Sequence, residues 1–276
     1  MTKTKIQIGH SPDSDDAFMF WGLASGAVDS QYEFEHILRD IQTLNEWAME
    51  GRLETTAVSV HAYAYVADKY ALLRHGGSFG DGYGPMIVAR RSLSYEELKE
   101  TVIAVPGKLT SAFLQLNLFL PNPRYEVVPF DEIMPAVSEG RFEAGLIIHE
   151  GQLTWKNEGL MLVADFGKWW QEGTGLPLPL GVNVVRRDLG ESAVRELNRV
   201  MKASIEAGLN NRSEALKYAL QFARGLDAET SDTFVGMYVN ERTLDMGDDG
   251  IAAIRLLLSR GAEAGIVPPV DIMVID

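Results

Sequence analysis

Between Lys5 and Arg90, short β-rich runs alternate with helix-patterned stretches, and this alternation constrains the fold more than any other feature. Lys5–Gly9 (KIQIG) reads as a strand bounded by the turn-like SPDSDD. Ser14, Asp15 and Asp16 stand as an N-cap cluster before the apolar AFMFWGLASG, with Gly26 as its C-cap. Tyr32–Leu38 reads as a second strand. Asp40 or Thr43 caps a helix through LNEWAMEG that ends at Gly51. Thr55–Val60 is β-rich, HAYAYVADKY is helical, Ala71–Leu73 is short and apolar, and GGSFGDGYG reads as a flexible, glycine-rich loop ahead of the strand Pro85–Ala89. The order β-α-β-α-β-α-β calls for an α/β protein with a largely parallel sheet covered by helices.

A second unit begins near Arg90. SLSYEELKE is a capped helix, TVIAVPG a strand and KLTSAFLQLNLFL an amphipathic helix. Tyr125–Pro129 and Glu143–His149 are strands around a helix capped by Asp131. Gly159–Phe166 follows, then Trp169 and Trp170, the stiff turn TGLPLPLG and the returning strand Val182–Val185. From Asp188 on, the pattern is helical. Two chain crossings, near 91–96 and 181–186, then join two lobes. The large lobe holds 1–92 and 185–276, and the small inserted lobe holds 93–184. Lobes joined in this way close on a ligand at their interface.

Composition narrows the function. The chain has 276 residues, with 25 Lys+Arg against 39 Asp+Glu and a formal charge of −14. That balance offers no excess of cations to displace counterions from nucleic acid. The absence of cysteine excludes disulfides, thiolate metal sites, iron–sulfur clusters and a cysteine nucleophile. MTKTKIQIGHSPDSDD holds no apolar run of signal-peptide length, and no stretch of about 18 apolar residues offers a membrane span. The expectation is a soluble, cytoplasmic protein with no nucleic-acid or membrane partner; an oligomer is left open.

Several residues carry chemistry. His149 ends a fully apolar strand, where ligands of open α/β sheets gather, and an imidazole there can move protons; the plainer reading is a strand-end histidine bonded to backbone. Glu150 either orients that ring or faces solvent. Thr110 and Ser111 open a helix after Pro106-Gly107, where free N–H groups attract an anion, or else they merely cap it. His10, Asp13, Asp15 and Asp16 carry metal-ligand atom types, yet the Ser/Asp run is what a helix start wants, so no metal is expected and a cleft role is assigned to Asp16 and Ser11. Ser59 and His61 are too close in sequence to pair as nucleophile and base, and no Gly-x-Ser-x-Gly is present. Trp169 and Trp170 either wall a ligand or fill a core.

SPDSDDAFMF, TLNEWAMEGRLETTAVS, GYGPMIVAR, VIAVPGKLTSAFL, EAGLIIHE and WWQEGTGLPLPLG are spread over residues 8–187. In these stretches the chain resembles the menaquinone-biosynthesis enzymes of the futalosine route, within them most closely the 1,4-dihydroxy-6-naphthoate synthases, with weaker similarity in YVNERTLDMG. The resemblance implies a two-lobed type II periplasmic-binding-protein-like (Venus flytrap) fold and a lyase without cofactor. Such a lyase converts cyclic dehypoxanthinyl futalosine, a small anionic bicyclic substrate, to 1,4-dihydroxy-6-naphthoate and dihydroxyacetone. It implies His149 as catalytic base, with Thr110, Ser111 and Ser59 holding substrate, Asn45 lining the cleft, and Asp16 as the last aspartate of the first motif. The chain departs from the family at that motif, usually SPCPNDT, and at Ala57, where a lysine is usual. The alternatives are chorismate dehydratase of the same route and a non-catalytic protein that traps a small carboxylate.

Overall fold

The computed structural model describes residues 3–223 and 226–275. β1 (Thr4–His10) buries more of its length toward its C-terminal end, and the chain turns there into the short helices α1 (Ser14–Met19) and α2 (Trp21–Ala24). The apolar stretch expected as one helix breaks at Phe20, which serves as C-cap of α1 and N-cap of α2. β2 (Tyr32–Leu38) lies parallel to β1 in register from Thr4↔Tyr32 to His10↔Leu38. α3 (Ile41–Glu50) starts where Asp40 accepts the Thr43 N–H at 3.0 Å, and it ends at Gly51, whose φ of 68° suits the left-handed cap. β3 (Thr55–Ser59), α4 (Val60–Val66) and β4 (Tyr70–Leu73) follow, and a short β5 (Ser78–Gly80) sits inside the glycine-rich segment.

The second sheet is built by β6 (Met86–Ala89), α5 (Tyr95–Glu100), β7 (Val102–Val105), α6 (Ser111–Phe119), β8 (Arg124–Val127), α7 (Phe130–Ser138), β9 (Ala144–Ile147), α8 (Gly151–Thr154), β10 (Met161–Asp165) and α9 (Phe166–Thr174). β11 (Leu178–Arg186) returns to the first sheet. The helices α10 (Glu191–Asn210), α11 (Arg212–Ala219), α12 (Ala228–Tyr238), α13 (Glu241–Leu244) and α14 (Gly247–Glu263), with a final β12 (Val274–Ile275), complete the first lobe. Among the described residues no helix is long and apolar enough to cross a membrane.

The strand order is β12-β4-β11-β3-β1-β2 in the first sheet, with β5 on β11, and β10-β6-β9-β7-β8 in the second. Two sequence expectations change here. The sheets are mixed: β1 is parallel to β2 and β3, and β7 to β8 and β9, but β11 runs antiparallel to β3, β4 and β5, and β6 antiparallel to β9 and β10. The chain also crosses between sheets at 81–85 and 175–177, earlier than the 91–96 and 181–186 that the pattern indicates. Met86–Ala89 is buried along its whole length. An apolar run of that kind marks a two-sided strand without naming its sheet. TGLPLPLG is not only a turn: from Leu178 it is strand, and Pro179 is accommodated beside a register shift.

One core cluster runs through both sheets, joining Val58, Leu72 and Val184 of the first to Ile87, Ile103 and Leu146 of the second. Each such side chain contributes about 1.5–3 kcal/mol by burial. α6 belongs to this cluster. It is apolar nearly all round rather than amphipathic, because it packs against α4, β11 and α14 between the lobes.

Candidate functional site in the cleft between the lobes

A cavity of about 820 Å³, counting the part open to solvent, lies where the C-terminal ends of strands from both sheets meet. β1 delivers the turn carrying Ser11, Asp13, Asp15 and Asp16, β3 delivers Ser59, and the N-terminus of α6 delivers Thr110, Ser111 and Ala112. His149 stands two residues beyond β9, before α8, and its side chain keeps 17% exposure. Of the residues singled out from sequence, His149, Ser59, Thr110, Ser111, Asp16 and Ser11 all line this one cavity. Asn45 does not. It is fully buried one layer behind, donating to Ser59 Oγ at 3.0 Å and accepting the Ser59 N–H at 2.8 Å. The cleft serine is therefore held by an asparagine that lies outside the cleft.

The hydroxyls divide their work. Thr110 is the N-cap of α6: its Oγ1 donates to the Gly107 carbonyl at 2.9 Å and accepts the Phe113 N–H at 3.2 Å. Ser111 donates to the Leu180 carbonyl. The helix itself provides no partner for the N–H groups of Ser111 and Ala112, its first two residues. Ser59 Oγ accepts from Asn45, and its own proton can be given to a ligand. An anion at this end would meet backbone N–H groups, the positive end of α6 and one hydroxyl. Gly107 lets Gln42 close on the turn before α6: a Cβ there would stand 2.2 Å from Gln42 Oε1, the atom that accepts the Leu109 N–H at 3.0 Å.

The stretch of wall supplied by the turn after β1 is acidic. One oxygen from each of Asp13, Asp15 and Asp16 lies within 4.8 Å of the others. Asp13 Oδ2 is 3.0 Å from His149 Nδ1, and the Asp13 side chain is only 2% exposed. Asp16 accepts the Ser11 N–H at 2.7 Å. Burial first, then the neighbouring Asp13 charge, pushes Asp16 up to about 8, against the opposing pull of the Ser11 N–H and His149. Burial and the Asp13 and Asp16 charges push Asp15 well above the usual carboxylate range. Oxygens this close can hold a cation, but Asp13 is engaged with His149 and Asp16 with the Ser11 backbone. The cap lies one residue earlier than the Ser14, Asp15 and Asp16 expected from sequence: these three form the first turn of α1, and Asp13 occupies the cap position without a side-chain cap bond.

Among the described residues, no lysine or arginine lines the cavity, and Ala57 does. The cations near in sequence lie elsewhere: Lys108 sits over the Tyr125 ring, Arg39 over Trp47, and Arg90 against Gly140. Trp170 is buried core, donating to the Pro177 carbonyl at 3.0 Å, and Trp169 packs on Phe119, so neither walls the cavity. Glu150 is buried rather than facing solvent. His61 lies outside the cavity; it is bonded to the Thr110 carbonyl at 3.1 Å, and burial brings it down to about 4. Gln152 and Tyr238 also line the cavity, joined by a 2.8 Å hydrogen bond from the tyrosine hydroxyl. The sequence does not single them out, since Tyr238 reads as one more apolar position of a distant helix.

A family model for menaquinone biosynthesis matches residues 6–263. The 1,4-dihydroxy-6-naphtoate synthase of Thermus thermophilus is 42% identical over 264 residues, which is 96% of each chain. A crystallised protein from Archaeoglobus fulgidus superposes with a TM-score of 0.92 at 44% identity, covering 95% of this chain and 98% of that one. The alkanesulfonate-binding protein of Xanthomonas axonopodis pv. citri, at 14% identity and a TM-score of 0.71 over 98% of this chain and 96% of that one, shares the fold alone. With its two-lobed, periplasmic-binding-protein-like architecture and full-length likeness to these relatives, the chain belongs to the menaquinone-biosynthesis family.

Proposed function

We propose that this chain is a lyase converting cyclic dehypoxanthinyl futalosine to 1,4-dihydroxy-6-naphthoate and dihydroxyacetone. The 1,4-dihydroxy-6-naphtoate synthase of Thermus thermophilus, 42% identical over 96% of each chain, supports that choice. The observation that carries the mechanism is the imidazole of His149 at the wall of the inter-lobe cavity, its Nδ1 held by a buried carboxylate.

The substrate carboxylate rests at the start of α6, on the N–H groups of Ser111 and Ala112 and the hydroxyl of Ser59. The N–H groups and the hydroxyl here donate to an anion, and no carboxylate stands among them. The sugar-derived part then lies toward the aspartates, where a protonated carboxyl can donate to a hydroxyl and an ionised one can accept from it. His149 takes a proton from the bound substrate. Loss of the three-carbon fragment and aromatisation of the remaining bicycle make the step downhill. Asn45, Thr110 and the Leu180 carbonyl fix the donors in place, so little reorganisation accompanies reaction.

The test is incubation of the protein with cyclic dehypoxanthinyl futalosine while naphthoate absorbance is followed, with chorismate as a parallel substrate. Naphthoate and dihydroxyacetone in equal amounts support the reading. Tight binding without product would leave a carboxylate-binding protein, and turnover of chorismate would leave a dehydratase.

A further inference from the structure

We propose that Asp13 is a positioning residue for His149, holding the Nδ1–H so that Nε2 is the basic nitrogen offered to the substrate. The inference rests on the reading of His149 as the proton acceptor and names what makes it one.

The two residues come from different lobes. Asp13 lies in the turn after β1 of the first sheet, and His149 in the turn after β9 of the second. Their Oδ2–Nδ1 separation of 3.0 Å is hydrogen-bond distance. A neutral imidazole has one donor and one acceptor nitrogen, and the bond made by one decides the role of the other. An ionised carboxylate is acceptor only, so it selects the Nδ1–H form.

Three further observations set this contact apart from a chance one. Asp13 occupies the N-cap position of α1, yet its side chain makes no cap bond, whereas Asp40, Asp165 and Asp227 at equivalent positions all accept one. Burial and the Asp13 and Asp16 charges raise Asp15 well above the usual carboxylate range, and a protonated Asp15 can donate to the Asp13 carboxylate beside it. The backbone of His149 has a φ of 55°, one of two non-glycine residues at positive φ among those described. A residue held in that region is fixed by its surroundings; here the Phe130 ring packs 4.8 Å from the imidazole on one side and Asp13 binds it on the other.

The experiment uses Asp13→Asn, whose amide matches the carboxylate in shape but accepts through one atom and donates through the other. Nitrogen-15 NMR of the histidine rings, with the His149 signals assigned by their loss in His149→Asn, reads the tautomer directly. The wild-type protein is expected to carry the His149 proton on Nδ1, and Asp13→Asn to lose that preference. In turnover, Asp13→Asn is expected to lower kcat by about 100-fold or more while KM stays within about threefold. A wild-type proton on Nε2, or an Asp13→Asn variant with wild-type kcat, overturns the proposal. Should the wild-type protein fail to turn over the futalosine derivative, the lyase reading falls and the tautomer still decides the role of Asp13. Should Asp13→Asn not fold, the wild-type ring signals decide alone.

Discussion

Asp16 accepts the Ser11 N–H at 2.7 Å and yet lies beside two other carboxyl groups, so its proton is held up to about pH 8 by burial and by Asp13. Below about pH 4 both the folded and the unfolded chain keep that proton. Between there and about 8 only the folded chain keeps it, so stability from this group is present in acid and lost as pH rises. Asp16→Asn removes the dependence. Its melting temperature is expected to gain on the wild type steadily from pH 4 to pH 8, by about 2–4 °C for each kcal/mol relieved. A difference that stays flat across that range contradicts the assignment. Asn45→Ala leaves the buried Ser59 N–H without its acceptor and is expected to cost about 1–3 kcal/mol in urea unfolding and to raise KM. His149, Ser59 and Ser111 are legible in sequence because each sits at a strand end or helix start, where α/β folds place ligands. Asp13 is less so: an aspartate before a helix reads as a cap, and only the fold shows its side chain turned to the other lobe.

Elements were readable by period and not by partner. The strands at Tyr32–Leu38 and Thr55–Ser59 fall where the pattern puts them, and β6 falls where expected in sequence but in the other sheet. Hydrophobic runs report burial; which sheet a strand joins is decided by packing far along the chain. The β1–β2 edge carries a feature of the same non-local kind. His10 Nε2 lies 3.0 Å from His36 Nδ1, and His10 stacks on Phe20. Burial and then His36 bring His10 down to about 3, and burial lowers His36 as well, so this pair is neutral in the folded chain. The stability tied to this pair is therefore full above about pH 6.5 and is lost as pH falls toward the folded value of His10. Amide exchange in β2, corrected for intrinsic rate, is expected to be less protected at pH 5 than at pH 7.5. Equal protection at both contradicts it.

At the scale of the whole molecule, the lobes meet through polar contacts as well as through the shared core. The Tyr238 hydroxyl of the first lobe reaches Gln152 of the second, next to the bridge between Asp13 and His149. Tyr238→Phe removes one such bond, worth about 1 kcal/mol net, and is expected to raise KM about fivefold with kcat little changed. Two lobes converging on one cavity were legible from the alternating pattern; the bonds between them were not, because their partners lie 86 residues apart for Tyr238 and Gln152 and no local signal links them. The account turns on the imidazole in that cavity, and it is tested most directly in His149→Asn by measuring naphthoate binding and turnover together. The expected result is binding close to wild type with kcat lowered by about 100-fold or more; turnover near the wild-type rate would contradict it.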